Sequence, residues 1–319
     1  MMWRILYTVF VLSMVGGEGL VCGAGQTEPL LFHAGVGQRS SIDEIRDLFL
    51  SRNPGTEVNF SYKGSGYFIA DITRSREGDL YMPGEEFYLL QAVERGFITD
   101  YDPQRDIAAY FVTVIITPKG NPKNIQRIED FAKPGVRVGL ANPEACAIGI
   151  WHEKIFKKAG NWDAVKRNAE FSAKCIPELG NAAQHKMIDA AVVWASTAVL
   201  YLRDIEIIPM EPKYRGIVRL PVATLKFSKR PHTAQTLKNL ILSDEGKKVF
   251  VSHAYGVGTI PRDEEGFEND DGKATEQLMT WLVNASKALK DESVRTDEKA
   301  VGPLIKEVER QRKTSRSGS

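Results

Sequence analysis

The chain has 319 residues, more than one average domain, and 43% of them are apolar, enough for two medium-sized cores. Lys and Arg number 42 against 41 Asp and Glu, a formal net charge of +1. So even a balance lacks the basic field with which proteins grip nucleic acid, and nucleic acid is not an expected partner.

The first two dozen residues carry Arg4, an apolar run over 5–15 and small residues at Gly23 and Ala24. This is the pattern of a cleaved secretory signal peptide, assigned to residues 1–25, and it implies a periplasmic or otherwise extracytoplasmic mature chain. The apolar run falls short of the roughly 20 residues a spanning helix needs. Cys22 raises the question of lipid anchoring, but Val21 precedes it where a small residue is usual, which argues against an anchor. Cys146 and Cys175 then remain, read either as a disulfide or as two buried free thiols.

From residue 29 to about 262, short apolar runs alternate with helical patterns, which argues for α/β lobes with largely parallel sheets. Leu30-Leu31-Phe32 reads as a strand. Residues 41–52 read as a helix, because Ile42, Ile45, Leu48 and Phe49 recur at helical spacing and Ser41 with Glu44 fits a capping box. After the break at Asn53-Pro54-Gly55, residues 58–62 alternate as a strand, and a helix at 67–75 with a strand at 79–82 completes a second unit.

Residues 110–117 form a β-branched run that ends in Pro118-Lys119-Gly120-Asn121-Pro122, a run able to leave one lobe and enter another. The next lobe is expected to hold strands at 136–140, 169–173 and 190–194 and helices at 148–159 and 178–187, followed by 205–210 and a return strand at 221–225. Lobe 1 is thus assigned to 26–110 and 221–262, closed by helices at 234–242 and 247–254, and lobe 2 to 111–220. Two crossings, near Tyr110-Phe111 and Leu220-Pro221, suit closure around a ligand. Residues 263–319 turn to Asp, Glu, Lys and Arg and read as a charged C-terminal extension with one amphipathic stretch at 275–289.

Four strand-to-helix junctions have the make-up of anion loops: 33–40, Lys63-Gly64-Ser65-Gly66, 142–149 and 175–182. Helix N-termini expose unpaired N–H groups and a partial positive charge, and ligands of open α/β sheets bind at the carboxyl ends of strands. Gly64-Ser65-Gly66 alone is more often a plain turn, and the glycines of 33–40 have neither dinucleotide nor P-loop spacing. It is the set of four that carries weight. His33, His152, His185, His232 and His253 show no metal-ligand spacing and read as surface or packing residues. No nucleophile with a base accompanies the loops, so a binding protein without catalysis or cofactor is the leading reading.

The run from Phe32 to Gly258 resembles the periplasmic molybdate- and tungstate-binding proteins of ABC transporters. The resemblance is carried by Asn53-Pro54-Gly55, Gly64-Ser65-Gly66, Gly78-Asp79-Leu80, Pro118-Lys119-Gly120-Asn121-Pro122, Asn142-Pro143-Glu144 and the stretch from Ala190 to Ser196. It implies a two-lobe, periplasmic-binding-protein-like α/β fold of type II, with mixed or parallel sheets, helices on both faces and a ligand cleft between the lobes. It also implies a monomer that passes a tetrahedral oxyanion, molybdate or tungstate, to an ABC permease.

Residue by residue, Ser65 matches the serine whose hydroxyl and amide hold the anion, and Ala145 matches an amide donor of the second lobe. Asn181 or Ala182 matches the donor of the next loop, and Trp194 stands where many members place a tyrosine hydroxyl. The first-loop serine is replaced by Gly37, followed by Gln38 and Arg39. Arg39 either adds a charged fork to the anion or points to solvent. A ligand role for it would favour another anion, such as sulfate, phosphate or a small phosphorylated or carboxylated acid. Glu144 either coordinates the metal of the oxyanion, or it caps its helix or faces water. A bilobal enzyme or a sensor domain is the remaining alternative.

Overall fold

Three successive strand–helix units open the computed structural model, which describes residues 28–288. Strand β1 (Leu30–Gly35) leads through a turn of 3-10 helix into α1 (Arg39–Arg52); β2 (Val58–Lys63), α2 (Ser65–Ser75), β3 (Leu80–Met82) and α3 (Glu86–Glu94) follow. β1 lies between β2 and β3 and is parallel to both, with Phe32 opposite Phe60 on one side and Leu80 on the other. All three strands therefore release their loops at one edge of the sheet. α1 buries Ile42, Ile45 and Phe49, which fall on one helical face. The expected capping box does not form. The helix starts at Arg39, so Ser41 already lies inside it, buried, with its hydroxyl donating to the Gln38 carbonyl at 2.9 Å.

The apolar run predicted to change lobes is β4 (Ile107–Pro118), which is buried almost throughout, as expected of a strand covered on both faces. Beyond it come β5 (Val138–Ala141), α4 (Ala147–Lys158), α5 (Trp162–Arg167), β6 (Ala169–Ala173), α6 (Ile176–Gln184), β7 (Ala190–Trp194), the short α7 (Ala195–Ala198) and β8 (Ile205–Ile208). The chain returns through β9 (Ile217–Pro221) and β10 (Ala223–Thr224) to α8 (Pro231–Leu242) and α9 (Asp244–Ser252), which pack on α1. The first sheet has the order β10-β3-β1-β2, and the second β6-β5-β7-β4-β8 with β9 also on β4. The first half of β4 pairs with β9 and the second half with β7 and β8, so one continuous strand serves as hinge and as sheet core.

A third passage between the lobes is present that sequence reasoning did not anticipate. Gly256 exchanges backbone hydrogen bonds with Tyr110 at 2.8 and 3.0 Å, and the chain then runs back to the second sheet, where Ile217 N–H donates to the Gly266 carbonyl at 2.8 Å. Residues 262–286 are thus built into the second lobe instead of forming a separate charged appendix. Phe267, Met279, Leu282 and Ala285 are buried there, the last three on α10 (Glu276–Ala288). The signal segment 1–25 with Cys22, and the stretch beyond 288, lie outside the described residues. No helix among the described residues is long and apolar enough to cross a membrane.

Candidate functional site

The first loop is set by what surrounds its glycines. A Cβ on Gly35 would stand 3.0 Å from the Gly84 nitrogen, and one on Gly37 would stand 3.2 Å from the Phe111 ring. Gly37 is therefore the residue that lets Phe111, from hinge strand β4, press against the loop. Gln38 is fully buried; its Nε2 donates to the Pro83 carbonyl at 2.9 Å, while its Oε1 has no partner. The Tyr255 hydroxyl donates to the Gly37 carbonyl at 2.8 Å and holds the loop from the third hinge passage.

Ser65 opens α2. Its Oγ accepts the Gly84 N–H at 2.8 Å, so the hydroxyl proton is the part left to donate. Gly84 in turn lies against the other edge of Phe111, which sets Gly37 and Ser65 around one ring. Phe111 stacks on Trp194 with centroids 5.1 Å apart and planes at 7°, and on Tyr255 at 5.3 Å. Trp194 is only 3% exposed, so its main contribution is this aromatic floor.

The second lobe departs further from expectation. In the 142–146 turn the Ala145 N–H donates to the Asn142 carbonyl at 3.1 Å, and the Glu144 N–H donates to the Asn142 side chain at 2.9 Å. The Ala145 amide is thus already engaged, and Glu144 faces water, well placed neither to cap nor to ligate. Asn181 and Ala182 are not donors of the loop. α6 begins at Ile176, which places them more than a turn inside the helix, with Asn181 exposed and Ala182 buried. The helix itself starts at Ile176, and Pro177 behind it brings no N–H of its own. Gly149 makes the second-lobe geometry possible, since a Cβ there would fall 2.5 Å from the Ala141 carbonyl and block α4 from its strand-end loop.

A cavity of about 70 Å³ lies between the lobes. Gly37, Arg39 and Ser40 line it from the first lobe, Ile176, Ser196 and Thr197 from the second, and His253 and Tyr255 from the passage between. Ser196 Oγ is buried beside the Tyr255 hydroxyl. Arg39 is exposed, and its guanidinium lies 4.7 Å above the Tyr62 ring, so its charge is turned to the rim. Ser65 is not on the cavity wall but one contact away, across the Phe111 edge.

Along the same interface Glu86 of lobe 1 pairs with Arg219 of β9 at 3.4 Å and with Arg262 at 3.2 Å. Burial holds the neighbouring Glu85 above the ordinary carboxylate range, despite Lys154, Trp151 and Arg262 beside it. Among the described residues no group of three or more His, Cys, Asp or Glu could hold a metal ion.

Sequence reasoning missed Phe111, Gly84, Ile176, Ser196 and Tyr255. For Ile176 a signal existed, because proline is favoured in the first turn of helices, so Pro177 marks a start two residues earlier than Glu178. Phe111 carries no such local mark.

Residues 30–256 match the family model of the bacterial extracellular solute-binding proteins. A putative binding protein of Haemophilus influenzae is 25% identical over 230 residues, covering 72% of this chain and 91% of its own length. The molybdate-binding protein of Mycobacterium tuberculosis is 22% identical over 261 residues, covering 78% of this chain and 97% of its own. Among solved structures, the sulfate-binding protein SubI of Mycobacterium tuberculosis superposes with a TM-score of 0.63 at 16% identity, over 80% of this chain and 91% of that one. These relatives are binding proteins, not enzymes. Matched over most of its folded length and built as two α/β lobes around a hinged cleft, the chain belongs to the family of bacterial extracellular solute-binding proteins.

Proposed function

We propose that the chain captures a small tetrahedral oxyanion, molybdate or tungstate, between its lobes outside the cytoplasm and passes it to the permease of an ABC importer. The observation that carries this reading is the small interlobe cavity, whose wall brings together hydroxyl-bearing residues of both lobes, Ser40 from one and Ser196 and Thr197 from the other. A cavity of about 70 Å³ suits an inorganic ion, since organic ligands usually occupy roughly 300–1,000 Å³. Among the described residues that line it, none is a carboxylate. Neutral donors and helix starts stabilise an anion without a counter-charge, and the lobes' closure removes it from water. The molybdate-binding relative supports the choice of ligand, and the likeness to a sulfate-binding protein makes sulfate the second reading.

Ser40→Ala, which removes a hydroxyl from the cavity wall, tests the donor set. Loss of a hydrogen bond to a charged ligand is worth about 1.5–3 kcal/mol, so molybdate affinity in calorimetry should fall by roughly 10- to 150-fold. Arg39→Ala should change it less than about threefold, because the guanidinium is stacked on Tyr62. A reversed order, with Arg39 dominant and Ser40 silent, would move the site to a larger charged anion.

A further inference from the structure

We propose that Cys146 and Cys175 are an oxidisable pair that closes into an intramolecular disulfide across the second-lobe half of the anion site. Strands β5 and β6 are parallel neighbours, with Ala141 opposite Ala173 and the Asn142 N–H donating to the Ala173 carbonyl at 2.8 Å. The chain leaves both strands at one level, and each loop ends in a cysteine. Cys146 immediately precedes α4 and Cys175 immediately precedes α6, both in extended backbone and both half-buried.

The Cys146 thiol faces the N–H of Ile148 in its own helix and the N–H of Ile176 in the neighbouring one, with Cys175 close enough to act on its ionisation. Burial pushes the Cys146 thiol up to about 11 and raises Cys175 as well. Both sulfurs are therefore protonated at neutral pH and persist as a dithiol until an oxidant reaches them.

With a small-molecule disulfide of the glutathione type as oxidant, the redox balance is complete. Cys175, the less enclosed of the two, loses its proton and attacks one sulfur of the oxidant, giving a mixed disulfide and one released thiol. Cys146 then loses its proton and displaces the second thiol. The protein loses two hydrogens, and the oxidant is reduced to two thiols.

The consequence for binding rests on the oxyanion reading. In the dithiol, Cys146 sulfur takes up the Ile176 N–H, the amide that starts α6 at the cavity. The disulfide offers a poorer acceptor and ties the two helix starts together, which leaves that amide for the anion and removes loop freedom before binding.

The test uses the full chain with Cys22→Ser, so that two thiols remain, treated with oxidised or reduced glutathione and then freed of it. Oxidation should remove two hydrogens from the intact mass and abolish both alkylatable thiols. It should also raise Tm by roughly 5–10 °C and tighten molybdate binding by about threefold or more. The Cys146→Ser/Cys175→Ser variant should ignore the treatment. Two persistent thiols, a retained mixed disulfide or cross-linked dimers would overturn the pairing. Equal molybdate affinity in both states would overturn its effect on the site. A chain that closes the disulfide and gains Tm but binds no molybdate in either state would retain the pairing and refute the oxyanion reading.

Discussion

Arg215→Ala is expected to lower folding stability by about 3–5 kcal/mol, the usual cost of stripping one partner from a buried ion pair. Arg215 and Glu268 side chains are 5% and 0% exposed and stand 2.6 Å apart. The same guanidinium donates to Thr275 Oγ1 at 2.6 Å and to the Met210 carbonyl, and Thr275 donates onward to Glu268 at 2.8 Å. Burial already holds the Glu268 carboxyl above its ordinary range against the pull of Arg215. Without the arginine, a carboxylate would be left in the interior, or a proton would have to be taken up. The pair fastens residues 262–286 to the second lobe, so denaturant unfolding of the variant tests that docking. Arg215→Met with Glu268→Met should recover most of the loss, because a buried pair replaced by apolar groups is often neutral. A loss below about 1 kcal/mol in the single variant would mean that the segment does not dock as described.

Acid should weaken the protein through His152, and the window is specific. His152 is 1% exposed; its Nδ1 accepts the Ala141 N–H at 3.0 Å and its Nε2 donates to the Val192 carbonyl at 2.8 Å, joining α4 to the end of β5 and the middle of β7. Burial pushes its pKa down to about 4, from an ordinary 6.5. The native state therefore holds a neutral imidazole, whereas the unfolded chain takes up a proton as pH falls below about 6.5. The stabilisation is complete above pH 6.5, is lost progressively down to about pH 4, and amounts to about 3 kcal/mol in all. Urea unfolding at pH 7 and at pH 4.5 should differ by about 2–3 kcal/mol in the wild type and by clearly less in His152→Gln. Equal pH dependence in the two proteins would show that another group governs the acid loss.

The alternation of strands and helices was legible because each β–α unit of a parallel sheet announces itself locally: an apolar run, a glycine-rich break, an apolar helical face. The lobe-changing run at β4 was visible for the same reason. The site was less legible, because its parts meet through residues far apart in the chain. Nothing near Gly37 indicates that Phe111 occupies the space of a side chain there, and nothing near Arg215 announces Glu268, 53 residues on. Starting the helix at Glu178 left Pro177 outside it, and the family resemblance put the expected donors at Asn181 or Ala182, which sit within α6. The charged composition after Pro261 concealed Phe267, Met279 and Leu282, whose burial depends on a surface that only the folded second lobe provides.

The most direct test of the oxyanion reading is a calorimetric titration of the ligand-free protein with molybdate, tungstate, sulfate and phosphate in turn. One saturable site for molybdate and tungstate, with sulfate and phosphate weaker by about tenfold or more, is the predicted result, a gap of about 1.4 kcal/mol that cavity size and donor placement must supply. Silence toward both metal oxyanions, or tighter binding of sulfate or phosphate, would contradict it.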